Sequence, residues 1–119
     1  MTLSLKHERD NLYRLDITGV MQERDFRAAE RDLAAQMGEG RRIRLLVVLD
    51  GFEGWEPGAS WRNLSFYMKH GHDIERIAFV GDDRWRDEAL MFAAADLRDA
   101  PVAYFGAVQA AQAHAWLSH

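Results

Sequence analysis

Two hydrophobic periods alternate along this chain. Leu3-Ser4-Leu5 precedes a charged turn at Glu8 to Asn11, and Leu12, Tyr13, Leu15, Ile17 and Val20 follow it. Asp10-Asn11 supplies turn chemistry, so the pair predicts an opening β-hairpin. Leu15 and Ile17 fall on one face and Arg14, Asp16 and Thr18 on the other, the pattern of an outer strand half in water. From Gln22 to Met37 the period lengthens: Phe26, Ala29, Leu33 and Met37 recur every three or four positions among charged residues. That spacing predicts an amphipathic helix ended by Gly38 and Gly40. Arg44-Leu45-Leu46-Val47-Val48-Leu49 then shows no polar alternation and predicts a strand buried on both faces.

Asp50-Gly51-Phe52-Glu53-Gly54-Trp55-Glu56-Pro57 reads as an acidic, glycine-rich loop leaving the carboxyl end of that strand. In open α/β sheets ligands bind beyond the carboxyl ends of strands, so the functional rim is expected there. Pro57 suits a first helical position and Gly71 a stop, which predicts a helix between them. At ~100° per residue, Trp61, Leu64, Ser65 and Met68 share an inward sector, while Phe66 points outward among Arg62, Lys69 and His70. Ile74 to Val80 is the next strand. Arg84 to Leu97 is a helix carrying Trp85, Ala89 and Phe92, with Asp83 as N-cap. Pro101 to Phe105 is a short strand with its proline at the first position, and Gly106 to Leu117 a closing alanine-rich helix. The order β-β-α-β-α-β-α-β-α predicts an α/β fold: a single mixed sheet, an opening antiparallel hairpin followed by βαβ units, covered by about four helices. At 119 residues the chain is read as one domain, 1–119.

Composition narrows the function classes. A net charge of −4 argues against a general nucleic-acid binder, which carries a basic face. There are no cysteines, which excludes disulfides, thiolate metal sites and a cysteine nucleophile. The amino-terminal stretch is too charged for a signal-peptide core, and no run reaches the ~18–20 apolar residues of a membrane span. A cytoplasmic protein is expected, with peripheral membrane contact left open.

The hairpin strand Leu12 to Val20, the central strand with its exit from Leu45 to Trp55, the Arg76-Ile77-Ala78-Phe79-Val80-Gly81-Asp82 strand before Trp85, and Val102-Ala103-Tyr104-Phe105 together resemble the STAS superfamily. The closer likeness is to its stand-alone bacterial SpoIIAA-like proteins. The resemblance implies a STAS/SpoIIAA-like fold. Better-known members are anti-sigma-factor antagonists, switched by phosphorylation of a serine in an Asp-Ser-x-Gly segment. Here the comparable place reads Pro57-Gly58-Ala59-Ser60-Trp61, with Ser60 present but without that aspartate or glycine. The SpoIIAA-like branch also resembles lipid-binding CRAL-TRIO domains, which implies an apolar pocket or a membrane-surface role.

Candidate residues follow. Phe52, Trp55, Trp61, Phe66, Met68 and Trp85 are the candidates for ligand or membrane contact, since tryptophan at a rim can bury its ring while its N–H stays wet. Asp50, Asp82, Arg62 and Lys69 form the candidate polar rim. Ser60 is the candidate phosphosite of a protein-interaction switch. His70-Gly71-His72-Asp73 is poor metal geometry without a further ligand. No nucleophile elbow or phosphate loop is present. The reading is a non-catalytic binding module with no metal and no cofactor. Its partner would be a hydrophobic small molecule or a membrane surface, met through the 52–71 segment as a mobile cover. The alternative is a protein partner docked STAS-fashion, and a homodimer stays open.

Overall fold

The computed structural model describes residues 3–37, 42–59, 61, 73–95 and 100–118. Its elements are β1 (Leu3–Arg9), β2 (Leu12–Met21), α1 (Glu23–Met37), β3 (Ile43–Trp55), β4 (Ile74–Gly81), α2 (Arg86–Phe92), β5 (Val102–Gly106) and α3 (Ala110–Leu117). Single 3₁₀ turns at Asp83–Trp85 and Ala107–Gln109 lead into α2 and α3. The strands form one five-stranded sheet in sequence order, with β1 antiparallel to β2 and every later pairing parallel. Strands added in one direction through right-handed crossovers place their connecting helices on one face. Accordingly, buried side chains of α1 and α2 share a single apolar cluster with one face of the sheet.

β3 lies at the centre of the sheet, and its run of apolar residues serves both faces. Val47 and Leu49 join Leu15, Ile17, Ile77 and Phe79 beneath Ala29, Leu33 and Met37 of α1. Leu46 instead joins Ala78 and Val80 beneath Ala113 and Leu117 of α3. Complete burial of side chains such as Leu33 and Met37 contributes about 1.5–3 kcal/mol each. The second helix layer is fastened by cations from the sheet. Arg44 donates to the Leu117 carbonyl, and Arg76 Nη1 donates to the Trp116 carbonyl at 3.0 Å with its guanidinium 5.0 Å from the Trp116 ring. Unpaired carbonyls and the negative end of the dipole at a helix C-terminus favour such donors.

Several expectations are corrected. β3 does not stop at Leu49: it continues as a strand through Trp55, so Asp50 to Trp55 is not a loop. Glycine permits this, because Gly51 (φ +67°) and Gly54 (φ +115°) adopt backbone angles other residues avoid, inside a ladder whose register shifts on the paired strand around Gly19. β2 is not an outer strand but is flanked by β1 and β3. Its polar face is satisfied by ion pairs of Arg14 with Asp16 and Glu8 instead. Pro57 does not open a helix, since Pro57 and Gly58 form a turn with Gly58 at φ +76°. The rest of that predicted helix lies outside the described residues, apart from Ala59 and Trp61, so three α-helices are seen among those residues rather than about four. α2 ends at Phe92, and Ala94 turns into the left-handed region at φ +55°. Asp83 does not cap α2: the N-cap is Trp85, without a side-chain bond, and the capping aspartate is Asp82 at the start of the preceding 3₁₀ turn, whose carboxylate accepts from the Arg84 N–H at 2.9 Å.

Candidate functional site

The glycine-kinked end of β3 builds an aromatic cluster. Residues three apart on a regular strand point to opposite faces, yet Phe52 and Trp55 lie 5.0 Å apart edge to face. The positive φ of Gly54 between them allows this. Trp85 completes a triad, 5.0 Å from Phe52 and 6.0 Å from Trp55, and one of its ring carbons would sit 3.5 Å from a Cβ placed on Gly54. Phe92 of α2 joins Trp55 at 5.6 Å and Trp61 at 5.8 Å, and Phe26 of α1 meets Phe92 at 5.1 Å. Edge-to-face pairs of this kind add about 0.5–1.5 kcal/mol each beyond their buried area.

Glu56 ties the cluster to α1. Its backbone N–H donates to Met21 O at 3.0 Å, and its carboxylate accepts from the Glu23 N–H at 2.9 Å. An acidic side chain from a different part of the chain thereby caps the positive end of α1. The Glu56 carbonyl in turn accepts from the Trp61 indole N–H at 2.9 Å, which holds that ring against Phe26 and Phe92.

Between α1 and the sheet, beside these rings, lies a cavity of about 110 Å³. Leu15, Ile17, Val47, Leu49 and Ile77 form its floor, Phe26, Ala29 and Leu33 its roof, and Phe52, Trp55, Trp61 and Phe92 its aromatic end. Among the described residues only Arg27 and Glu30 bring charge to the wall. They are paired with each other, Arg27 Nη1 to Glu30 Oε1 at 2.8 Å, and Arg27 Nη2 also lies 3.5 Å from Glu23. The Glu30 side chain keeps only 17% of its surface exposed. Burial pushes its carboxyl above the usual range, and the hydrogen bond and charge of Arg27 oppose that shift. The Trp55 indole N–H is buried and has no hydrogen-bond partner among the described residues, although Trp55 is itself part of the cavity lining.

The sequence candidates divide sharply. Phe52, Trp55, Trp61 and Trp85 come together, with Phe52 buried and the three tryptophans half-buried against the core. Arg84 stacks over Trp85 at 4.7 Å. Asp50 and Asp82 are exposed, and Asp82 is occupied with its turn. No group of three or more metal-ligating side chains occurs among the described residues. Ser60, Arg62, Phe66, Met68 and Lys69 lie outside the described residues, as do His70 and His72. Sequence reasoning missed Glu56, Arg27 and Glu30 as parts of the site. For Glu30 a signal existed: it follows Phe26 by four positions and so borders the apolar stripe of α1.

Comparison with known proteins agrees with this architecture. The family model described as SpoIIAA-like matches residues 12–118. A solved structure of an uncharacterized protein of the DUF3478 family from Shewanella loihica PV-4, with a SpoIIAA-like fold, superposes with a TM-score of 0.74 at 19% identity. That alignment covers 97% of this chain and 91% of the other. No curated protein matches the chain significantly.

Proposed function

The chain belongs to the SpoIIAA-like family, and from that premise we propose that it is a non-catalytic binding domain for a small hydrophobic ligand. The observation that carries this reading is the cavity of about 110 Å³ between α1 and the sheet. Water held in such a space needs two to four polar partners, and the wall offers almost none that are free. For scale, an engineered apolar cavity of about 150 Å³ in another protein stays dry and takes benzene. The volume here suits a ring or a short alkyl chain. Rings available for membrane insertion would have to face outward, whereas Phe52 is 7% exposed and Trp61 is tied to the Glu56 carbonyl. An interior ligand is therefore favoured over a membrane anchor. No helix among the described residues is long and apolar enough to cross a membrane.

Titration with benzene, followed by tryptophan emission, tests the proposal, because Trp55 and Trp61 line the cavity. A saturable change is expected. An unchanged spectrum up to the solubility limit of benzene would contradict it. Family membership supports a second reading, docking of a protein partner with phosphorylation at Ser60 as the control. There, a Ser60→Asp variant should lose a partner that the unmodified protein captures. Capture unaffected by the substitution would remove Ser60 from that role.

A further inference from the structure

The cavity's polar corner bears on the kind of ligand it accepts. Arg27, the one cation in the described wall, is already engaged by Glu23 and Glu30. Glu23 and Glu30 both face Arg27, and Arg31 adds a further positive charge that acts on Glu30, so the charges of this corner are already matched. An incoming carboxylate would lose its hydration on entering an apolar space and would meet the Glu30 carboxylate in a poorly solvated setting, where like charges are costly. An ammonium would meet Arg27 and would also lose its hydration on entering an apolar space. A neutral donor has neither difficulty. Arg27 occupies Glu30 Oε1, and no hydrogen bond among the described residues occupies Oε2. That oxygen belongs to a side chain in the cavity wall that is largely withdrawn from water.

Resting on the ligand-binding reading above, we propose that the cavity selects a short-chain neutral alcohol over the matching carboxylate or ammonium, with the hydroxyl donating to Glu30 Oε2 and the alkyl chain lying along the sheet between Leu33 and Val47. The alcohol hydroxyl would replace solvation that Glu30 has lost, whereas benzene can fill the cavity without making that bond.

The test compares benzene, 1-hexanol, hexanoate and hexylammonium by tryptophan emission with the wild-type protein. 1-Hexanol should bind about tenfold more tightly than hexanoate or hexylammonium, the scale of one hydrogen bond to a charged group. Glu30→Met should weaken 1-hexanol about tenfold and leave benzene within about twofold, since only the acceptor is lost. Glu30→Gln keeps a neutral acceptor, so it should retain 1-hexanol binding and narrow the gap to hexanoate. If benzene binds while hexanoate equals 1-hexanol, or while Glu30→Met leaves 1-hexanol untouched, the alcohol preference is overturned and the hydrophobic-ligand reading stands. If benzene and 1-hexanol both fail to bind, the underlying reading fails and takes this inference with it.

Discussion

Ala29→Leu puts the cavity itself on trial. Ala29 lies on the buried stripe of α1, 7% exposed, and its side chain is part of the cavity wall. Leucine adds three carbons, about 0.8 kcal/mol each if they leave water for an apolar site, or roughly 2.4 kcal/mol. Ordering the larger side chain costs about 0.5–1 kcal/mol. An imperfect fit takes more, so a net stabilisation of about 1 kcal/mol is expected, equivalent to a rise of roughly 3–5 °C in Tm for a chain of this size. Helix propensity barely enters, since leucine is close to alanine in a helix interior. Urea and thermal unfolding measure the stability, and the benzene titration is repeated on the variant. The expected result is a more stable protein that no longer binds benzene. A loss of about 1–3 kcal/mol would instead be the signature of overpacking and would refute the claim that space lies beneath α1.

The cap on α1 makes a second prediction: Glu56→Ala should cost about 1 kcal/mol in urea unfolding by leaving the Glu23 N–H without its carboxylate, and an unchanged midpoint would discount that bond. At Gly81 an added Cβ would sit 2.9 Å from Leu49 Cβ and 3.2 Å from the Leu49 carbonyl, so Gly81→Ala should destabilise by about 1–3 kcal/mol, read from the shift in thermal midpoint. Tyr104 donates its hydroxyl to the Asp82 carbonyl at 2.5 Å, and burial, with Asp82 adding to it, pushes its pKa up to about 12. The folded protein therefore holds this proton more tightly than the unfolded chain. Its contribution is complete below about pH 10, where an unfolded tyrosine begins to titrate, and is lost as pH rises toward about 12. Tyr104→Phe should lose about 1 kcal/mol at neutral pH and show a shallower fall in stability over that alkaline window; parallel curves for the two proteins would contradict the assignment.

How much was readable in advance depends on the range of the interactions involved. Leu45 to Leu49 announced a strand with two buried faces, because continuous apolar character is a local property. The stripe at Phe26, Ala29, Leu33 and Met37 announced α1 for the same reason. The continuation of β3 through Gly51 and Gly54 was hidden, since glycine there reads equally as a turn or as a bulge in a strand. Pairing with β2 decides between them, and pairing is a long-range fact. Glu56 looked like one more acid before a proline; its role as the cap of α1 spans 33 residues and has no local signature. Rings at Phe52, Trp55, Trp61 and Trp85 drew notice by type, but their inward packing follows from the backbone at Gly54 and the bond to Glu56. The cavity is the least legible feature, because its volume is what remains after all surrounding side chains have packed.

The most direct measurement is a methyl-resolved NMR titration with benzene. A guest between α1 and the sheet should shift the methyls of Leu33, Val47, Leu49 and Ile77, which line that space, and leave Leu46, Val80 and Leu117 on the opposite face unmoved. Shifts spread evenly over both faces, or none at all near saturation, would contradict a built ligand cavity in this protein.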